Sequence, residues 1–112
     1  MIITHTRQDA LALVRIEGRL DAAAAPAAEK QLTDLFAAGA RAVALDGSAL
    51  EYISSAGLRV LLSLTKKIKA AGGRIALGGL QPQVKEIIEI AGFSSIMPVF
   101  ASAEEARRVC AG

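Results

Sequence analysis

The sequence predicts an α/β fold: one domain built on a mixed sheet of about five strands with about four helices. Three observations carry this. Short apolar runs alternate with stretches of helical periodicity along the whole chain. One run, Ala42 to Leu45, is apolar without interruption, as a central strand covered on both faces must be. The chain has 112 residues, enough for one core and short for two.

Taken in order, Ile2 to Arg7 and Leu11 to Glu17 read as two strands around Gln8-Asp9-Ala10, an antiparallel pair with the first strand at an edge. Gly18-Arg19-Leu20-Asp21 ends the second strand. A helix follows from about Ala24 to Ala38, with Pro26 tolerated only because it falls in the first turn. Its apolar face is Ala28, Leu32, Leu35 and Phe36, and Gly39 stops it. After the central strand comes an acid, Asp46, then a loop that closes on Ser54 and Ser55. The helix beyond is expected to bury Leu58, Leu61, Leu62, Thr65 and Ile68, leaving Arg59, Ser63, Lys66 and Lys67 towards solvent or a partner. Gly72-Gly73 ends it, and Arg74 to Gly78 forms the next strand. Pro82 opens a helix with Val84, Ile87, Ile88 and Ala91 on one face, closed by Gly92. Met97 to Phe100 is a last short strand, with Pro98 pointing to an edge. Ser102 and Glu105 have the spacing of a capping box, so a terminal helix starts at Ala103.

Several functions are disfavoured by composition. Thirteen basic against eleven acidic residues, with no basic cluster interleaved with aromatics, argue against nucleic-acid binding. The one cysteine, Cys110, cannot form an intrachain disulfide and reads as a small apolar residue on the terminal helix. Neither a signal peptide nor an apolar run approaching the ~18 residues of a membrane span is visible. The expectation is a cytoplasmic protein that is not inserted in a membrane.

The chemistry centres on Ser54-Ser55-Ala56-Gly57, between a buried strand's return loop and a helix start. A hydroxyl there can cap the helix by accepting one of its free N–H groups. It can instead receive a phosphate, or offer a small uncharged surface to a partner. Two serines stand where one cap would do. Gly57 suggests a close approach to the backbone, and Ile53 and Leu58 are apolar anchors on either side. A nucleophilic serine would need a base within reach, but the only histidine, His5, lies in the first strand. The surroundings are not Gly-x-Ser-x-Gly, and no His/Cys/Asp/Glu cluster has metal-ligand spacing. No enzyme activity, metal or cofactor is expected.

Together these segments resemble the STAS family, whose best-known members are bacterial anti-sigma-factor antagonists, over nearly the whole of residues 1–112. Gly18-Arg19-Leu20-Asp21 is similar to the family's glycine-x-leucine-aspartate. Ala25-Pro26 with Glu29 and Leu32 resembles its first helix. Val43-Ala44-Leu45-Asp46 with Leu50, Tyr52 and Ile53 resembles its third strand and loop, and Ser55-Ala56-Gly57-Leu58 with Leu61-Leu62 its phosphoacceptor loop and second helix. Gly72-Gly73, Val84, Ile90 and Gly92-Phe93 fit the later helices.

The resemblance implies partner switching. The dephosphorylated antagonist binds a serine kinase that is also the anti-sigma factor, which frees the sigma factor for transcription. The kinase phosphorylates the loop serine and the complex parts; a serine phosphatase resets it. By position it makes Ser55 the phosphoacceptor, with Ser54 as rival. It implies partner contacts from Asp21, Tyr52, Ser54, Ala56, Gly57, Leu58, Arg59, Ser63 and Lys66. The alternative it allows is a STAS subunit of a lipid-transport ATPase, working without phosphorylation. The chain departs from the family at three places: Ser54 stands where an aspartate is frequent, Ala56 where a second hydroxyl is frequent, and Ala24 lacks the hydroxyl often found at the first helix's cap.

Overall fold

In the computed structural model, which describes residues 1–111, β1 (Ile2–Gln8) and β2 (Leu11–Leu20) pair antiparallel around a turn with Asp9 at φ 56°. Residues of β2 alternate, as a pleated strand requires. Ala12, Val14 and Ile16 point into the main core, and Leu11, Leu13 and Arg15 point to the other face. The chain continues with α1 (Ala25–Ala37), β3 (Ala42–Asp46), β4 (Leu50–Ile53), α2 (Ser55–Ala70), β5 (Arg74–Gly78), α3 (Pro82–Ile90), a single 3-10 turn (Phe93–Ser95), β6 (Val99–Phe100) and α4 (Ala103–Ala111).

The strand order is β1-β2-β3-β5-β6, with β4 beside the far end of β2. Every pairing except β1–β2 is parallel, so the sheet is mixed and β1 is an edge, as expected. β3 is central, between β2 and β5, which explains its uninterrupted apolar run. On the side away from β1, β2 serves two partners in turn. Leu11 to Arg15 pair with β3, whereas Gly18, Arg19 and Leu20 pair with Leu50, Tyr52 and Ile53. The change of partner falls at an irregularity between Gly18 and Arg19, where Gly18 takes φ +86°, a conformation open to glycine at no steric cost.

The helices α1, α2 and α3 cover one face. Leu32 and Leu35, Leu61, Leu64 and Ile68, and Val84 and Ile88 pack there on Val14, Ile16, Val43, Leu45, Ile75 and Leu77. Each large aliphatic side chain removed from water contributes roughly 1.5–3 kcal/mol. The other face is covered by α4, whose Ala106 and Cys110 lie on Ala44 and Ala76. Cys110 is buried and its Sγ lies 3.3 Å from the Val43 carbonyl, to which it donates. Burial pushes its thiol pKa up, so it acts as the small apolar residue expected. The Ser102 hydroxyl accepts from the Glu105 N–H at 3.2 Å, as the capping-box spacing predicts.

Several expectations are corrected. The segment read as loop after Asp46 contains β4, giving six strands rather than five. β2 runs on to Leu20 because β4 pairs with its end. The buried stripe of α2 is Val60, Leu61, Leu64, Thr65 and Ile68, with Leu58 and Leu62 only half-buried at its border. Ala91 is exposed as the residue that caps α3. The last strand is only Val99–Phe100; Met97 lies before it, wholly buried beside the Thr65 hydroxyl. Phe36 is half-buried under the Arg41 guanidinium, 4.1 Å from its ring centre. At the start of α1, Ala24 makes no side-chain cap. The Asp21 carboxylate accepts from the Ala24 N–H at 2.9 Å, and its carbonyl accepts from the Ala25 N–H at 3.0 Å.

Candidate functional site

The parallel strands β2 and β4 end side by side, and Ser54 and Ser55 follow β4 directly into α2. The two hydroxyls have different environments. Ser54 is extended (φ −90°, ψ 172°) and is the N-cap of α2. Its N–H donates to the Leu20 carbonyl at 3.0 Å. Its half-buried Oγ accepts from the Gly57 N–H at 3.1 Å and donates to the same Leu20 carbonyl at 3.3 Å. An aspartate at this position could accept from Gly57 but could not donate to Leu20. The serine therefore suits the carbonyl beneath it. Ser55, the first residue of α2, is exposed and its hydroxyl makes no hydrogen bond among the described residues. The capping and accessible roles suggested for one serine are thus divided between two.

Replacing Ser54 by alanine removes the cap and is expected to cost about 1 kcal/mol, lowering Tm by about 4 °C. Thermal denaturation checks this; an unchanged Tm would mean that the Ser54 hydroxyl does not hold the helix start.

Gly57 is buried where α2 presses on the end of β2. A Cβ there would lie 2.7 Å from the Leu20 carbonyl oxygen, 2.8 Å from Leu20 Cγ and 2.9 Å from Ile53 Cγ1. The close approach anticipated at Gly57 is therefore made by the chain's own β2. Gly57, expected among the contact residues, is buried against β2 two residues after Ser55.

Around Ser55 the fold gathers most of the remaining candidates. Ala56 and Leu58 are half-buried beside it, Leu58 resting on the core. Arg59, Ser63 and Lys66 run along α2 at helical spacing; Arg59 and Lys66 are exposed and Ser63 is half-buried. Lys67, expected on the free face, is half-buried with Nζ 3.4 Å from the Thr33 hydroxyl of α1. Asp21 and Tyr52 are half-buried at the ends of β2 and β4. One oxygen of Asp21 is engaged in the turn leading to α1. Tyr52 lies opposite Arg19, whose guanidinium carbon sits 4.3 Å from the ring centre.

Sequence reasoning missed Arg19 and Glu29 as members of this surface. Within Gly18-Arg19-Leu20-Asp21, only the pairing with Tyr52 identifies Arg19. Glu29 borders a shallow cleft in which Ala25 and Pro26 of α1 face Ala56, Arg59 and Ser63 of α2. The surface next to Ser55 is thus made of small side chains, with one acid and one arginine along the cleft.

Other candidate chemistry lies elsewhere. His5 pairs with Val14, six residues before Leu20 on β2, which puts it roughly 20 Å from the serines and out of reach as a base. A cavity of about 300 Å³ lies against α4, lined in part by Leu13, Arg15, Ala44, Asp46 and Arg107, and includes none of the predicted site residues. Among the described residues no three His, Cys, Asp or Glu side chains are grouped to hold a metal ion. Nor is any described helix long and apolar enough to cross a membrane.

Comparison with known proteins adds four findings. The family model described as STAS domain matches residues 2–106. A protein of Bordetella bronchiseptica named "Putative anti-sigma factor antagonist BtrV" is 40% identical over 106 residues, covering 95% of this chain and 91% of its own. Among solved structures, an anti-sigma factor antagonist from Mycobacterium paratuberculosis superposes with TM-score 0.89 at 22% identity, covering 99% of this chain and 94% of that one. The phosphorylated form of the Bacillus cell fate determinant SpoIIAA superposes with TM-score 0.75 at 18% identity, covering 96% and 99%.

Proposed function

This chain belongs to the STAS domain family, and we propose that within it the protein is an anti-sigma-factor antagonist switched by phosphorylation of Ser55. In this reading the unmodified protein binds an anti-sigma factor that is also a serine kinase, in the cytoplasm, and so releases a sigma factor. The kinase transfers the γ-phosphoryl group of ATP to Ser55 Oγ; the hydroxyl proton leaves, and ADP is the other product. A serine phosphatase hydrolyses the phosphoester and restores the hydroxyl. The protein accepts the group and performs no catalysis of its own.

The observation that carries this reading is the exposed hydroxyl of Ser55, without a hydrogen-bond partner among the described residues, on a rigidly seated helix start. Ser54 is the weaker acceptor because its oxygen already accepts from Gly57 and donates to Leu20. The small side chains beside Ser55 allow a partner to approach closely. Asp21, Tyr52, Ala56, Leu58, Arg59, Ser63 and Lys66 supply the rest of the contact area, Ser54 lies at its edge, and Gly57 holds the loop from behind.

The direct experiment is incubation with the cognate kinase and ATP, followed by peptide mapping. Phosphate on Ser55, abolished in Ser55→Ala, is expected. Efficient binding to the kinase with no phosphate on either serine would contradict the switch and favour a phosphate-independent STAS subunit. A second variant tests the docking face: Arg59→Glu is expected to weaken binding at least tenfold with Tm unchanged, because Arg59 is exposed and none of the five ion pairs among the described residues includes it. Equal affinities in a binding titration would remove α2's exposed face from the interface.

A further inference from the structure

Six of the eight arginines are anchored within the fold. Arg7 donates to the Ala38 carbonyl, Arg41 to those of Phe36 and Ala40, and Arg74 to that of Val109. Arg15 pairs with Glu17 and Asp46, Arg107 pairs with Glu104, and Arg19 lies over Tyr52. Among the described residues, Arg59 and Arg108 have no such contact. Arg108 is on α4, on the opposite face of the sheet from α2. Arg59 is on α2, four residues after Ser55.

That spacing has a geometric consequence. Residues four apart on a helix share a face, separated by a rise of about 6 Å. Helical side chains lean towards the N-terminus, so an arginine reaches back over the turn before its own. The turn before Arg59 carries Ser55, and both side chains are exposed. The nearby acids do not hold the guanidinium. Glu29 borders the same cleft without an ion pair to it, and Asp21 accepts from the Ala24 N–H.

We infer that Arg59 is the internal receiver of a phosphate on Ser55, closing a forked, charge-assisted contact across one turn of α2. Resting on the reading of Ser55 as the phosphoacceptor, this specifies how the modified state is held. A guanidinium matches two phosphate oxygens at once, which a single carboxylate across the cleft cannot outbid once the phosphate bears two charges. The switch then acts twice on the partner face: it adds a dianion at Ser55 and withdraws the free cation at Arg59.

The test uses the full chain with phosphoserine incorporated at position 55 during synthesis, so neither kinase nor partner is needed. The phosphate is titrated by phosphorus NMR. A neighbouring cation favours the dianion, so the second phosphate pKa should be lower in the wild-type sequence than in Arg59→Gln, by about 0.5 unit. Arg59→Lys, keeping the charge without the fork, should fall between. Lys66→Gln should titrate as wild type, because Lys66 lies about 16 Å further along the helix. Coincident curves for wild type and Arg59→Gln would overturn the inference, and so would an equal displacement in Lys66→Gln. Kinase mapping that placed phosphate elsewhere would instead defeat the reading of Ser55, leaving this titration unaffected.

Discussion

Ser55→Asp is expected to weaken binding to the anti-sigma factor roughly a hundredfold while leaving Tm within about 2 °C of wild type. The two halves of this result have separate causes. Burying an unpaired carboxylate in a dry interface costs several kcal/mol, and about 3 kcal/mol corresponds to a hundredfold loss. Within the free protein the same charge stands at the first residue of α2, next to the positive end of the helix, in solvent, where it is tolerated or mildly stabilising. A calorimetric binding titration alongside thermal denaturation reads both. If the variant unfolds, Ser55 is structural. If it binds as tightly as wild type, Ser55 lies outside the contact area.

Gly57→Ala separates the geometry of the site from its charge. On an open helix this substitution would stabilise by up to about 1 kcal/mol. Here the new methyl would meet the Leu20 carbonyl oxygen at 2.7 Å, a backbone atom also fixed by Ser54. Overpacking of this kind costs about 1–3 kcal/mol, so Tm should fall by about 8 °C despite the better helix propensity. The variant should also bind its partner more weakly, since the start of α2 must tilt away from β2 and carry Ser55 with it. A Tm equal to or above wild type would show that α2 is not seated on Leu20.

Long-range periodicities were legible in the sequence because each reports burial of one whole face. The central strand at 42–45, the helix after Ser55, and the terminal helix with its Ser102 cap all formed where their patterns placed them. β4 was not legible for a physical reason. It has four residues and exists as a strand because the end of β2, displaced at Gly18, offers it a partner. On α2 the expected Leu61, Thr65 and Ile68 are buried, but the face is centred less than a quarter turn away from Leu58 and Leu62. Leucines there border the core, and the deeper contacts fall to Val60 and Leu64.

At the site, the paired serines marked the place but not the division of labour. Local sequence could not say which hydroxyl caps the helix, because that depends on the Leu20 carbonyl 34 residues earlier in the chain. Gly57 announced a close contact without naming the atom. Arg19 carried no signal until Tyr52 was seen beside it. The family resemblance pointed to Ser55, and its exposure beside an occupied Ser54 is an independent physical reason for the same residue.

In the proposed switch, a single phosphate on Ser55 decides whether the partner binds. The direct measurement is the affinity of the anti-sigma factor for two preparations of this chain, one unmodified and one with phosphoserine at position 55. A loss of about a thousandfold or more on phosphorylation is predicted, corresponding to about 4 kcal/mol for a dianion forced into the contact. Equal affinities for the two preparations would contradict the account.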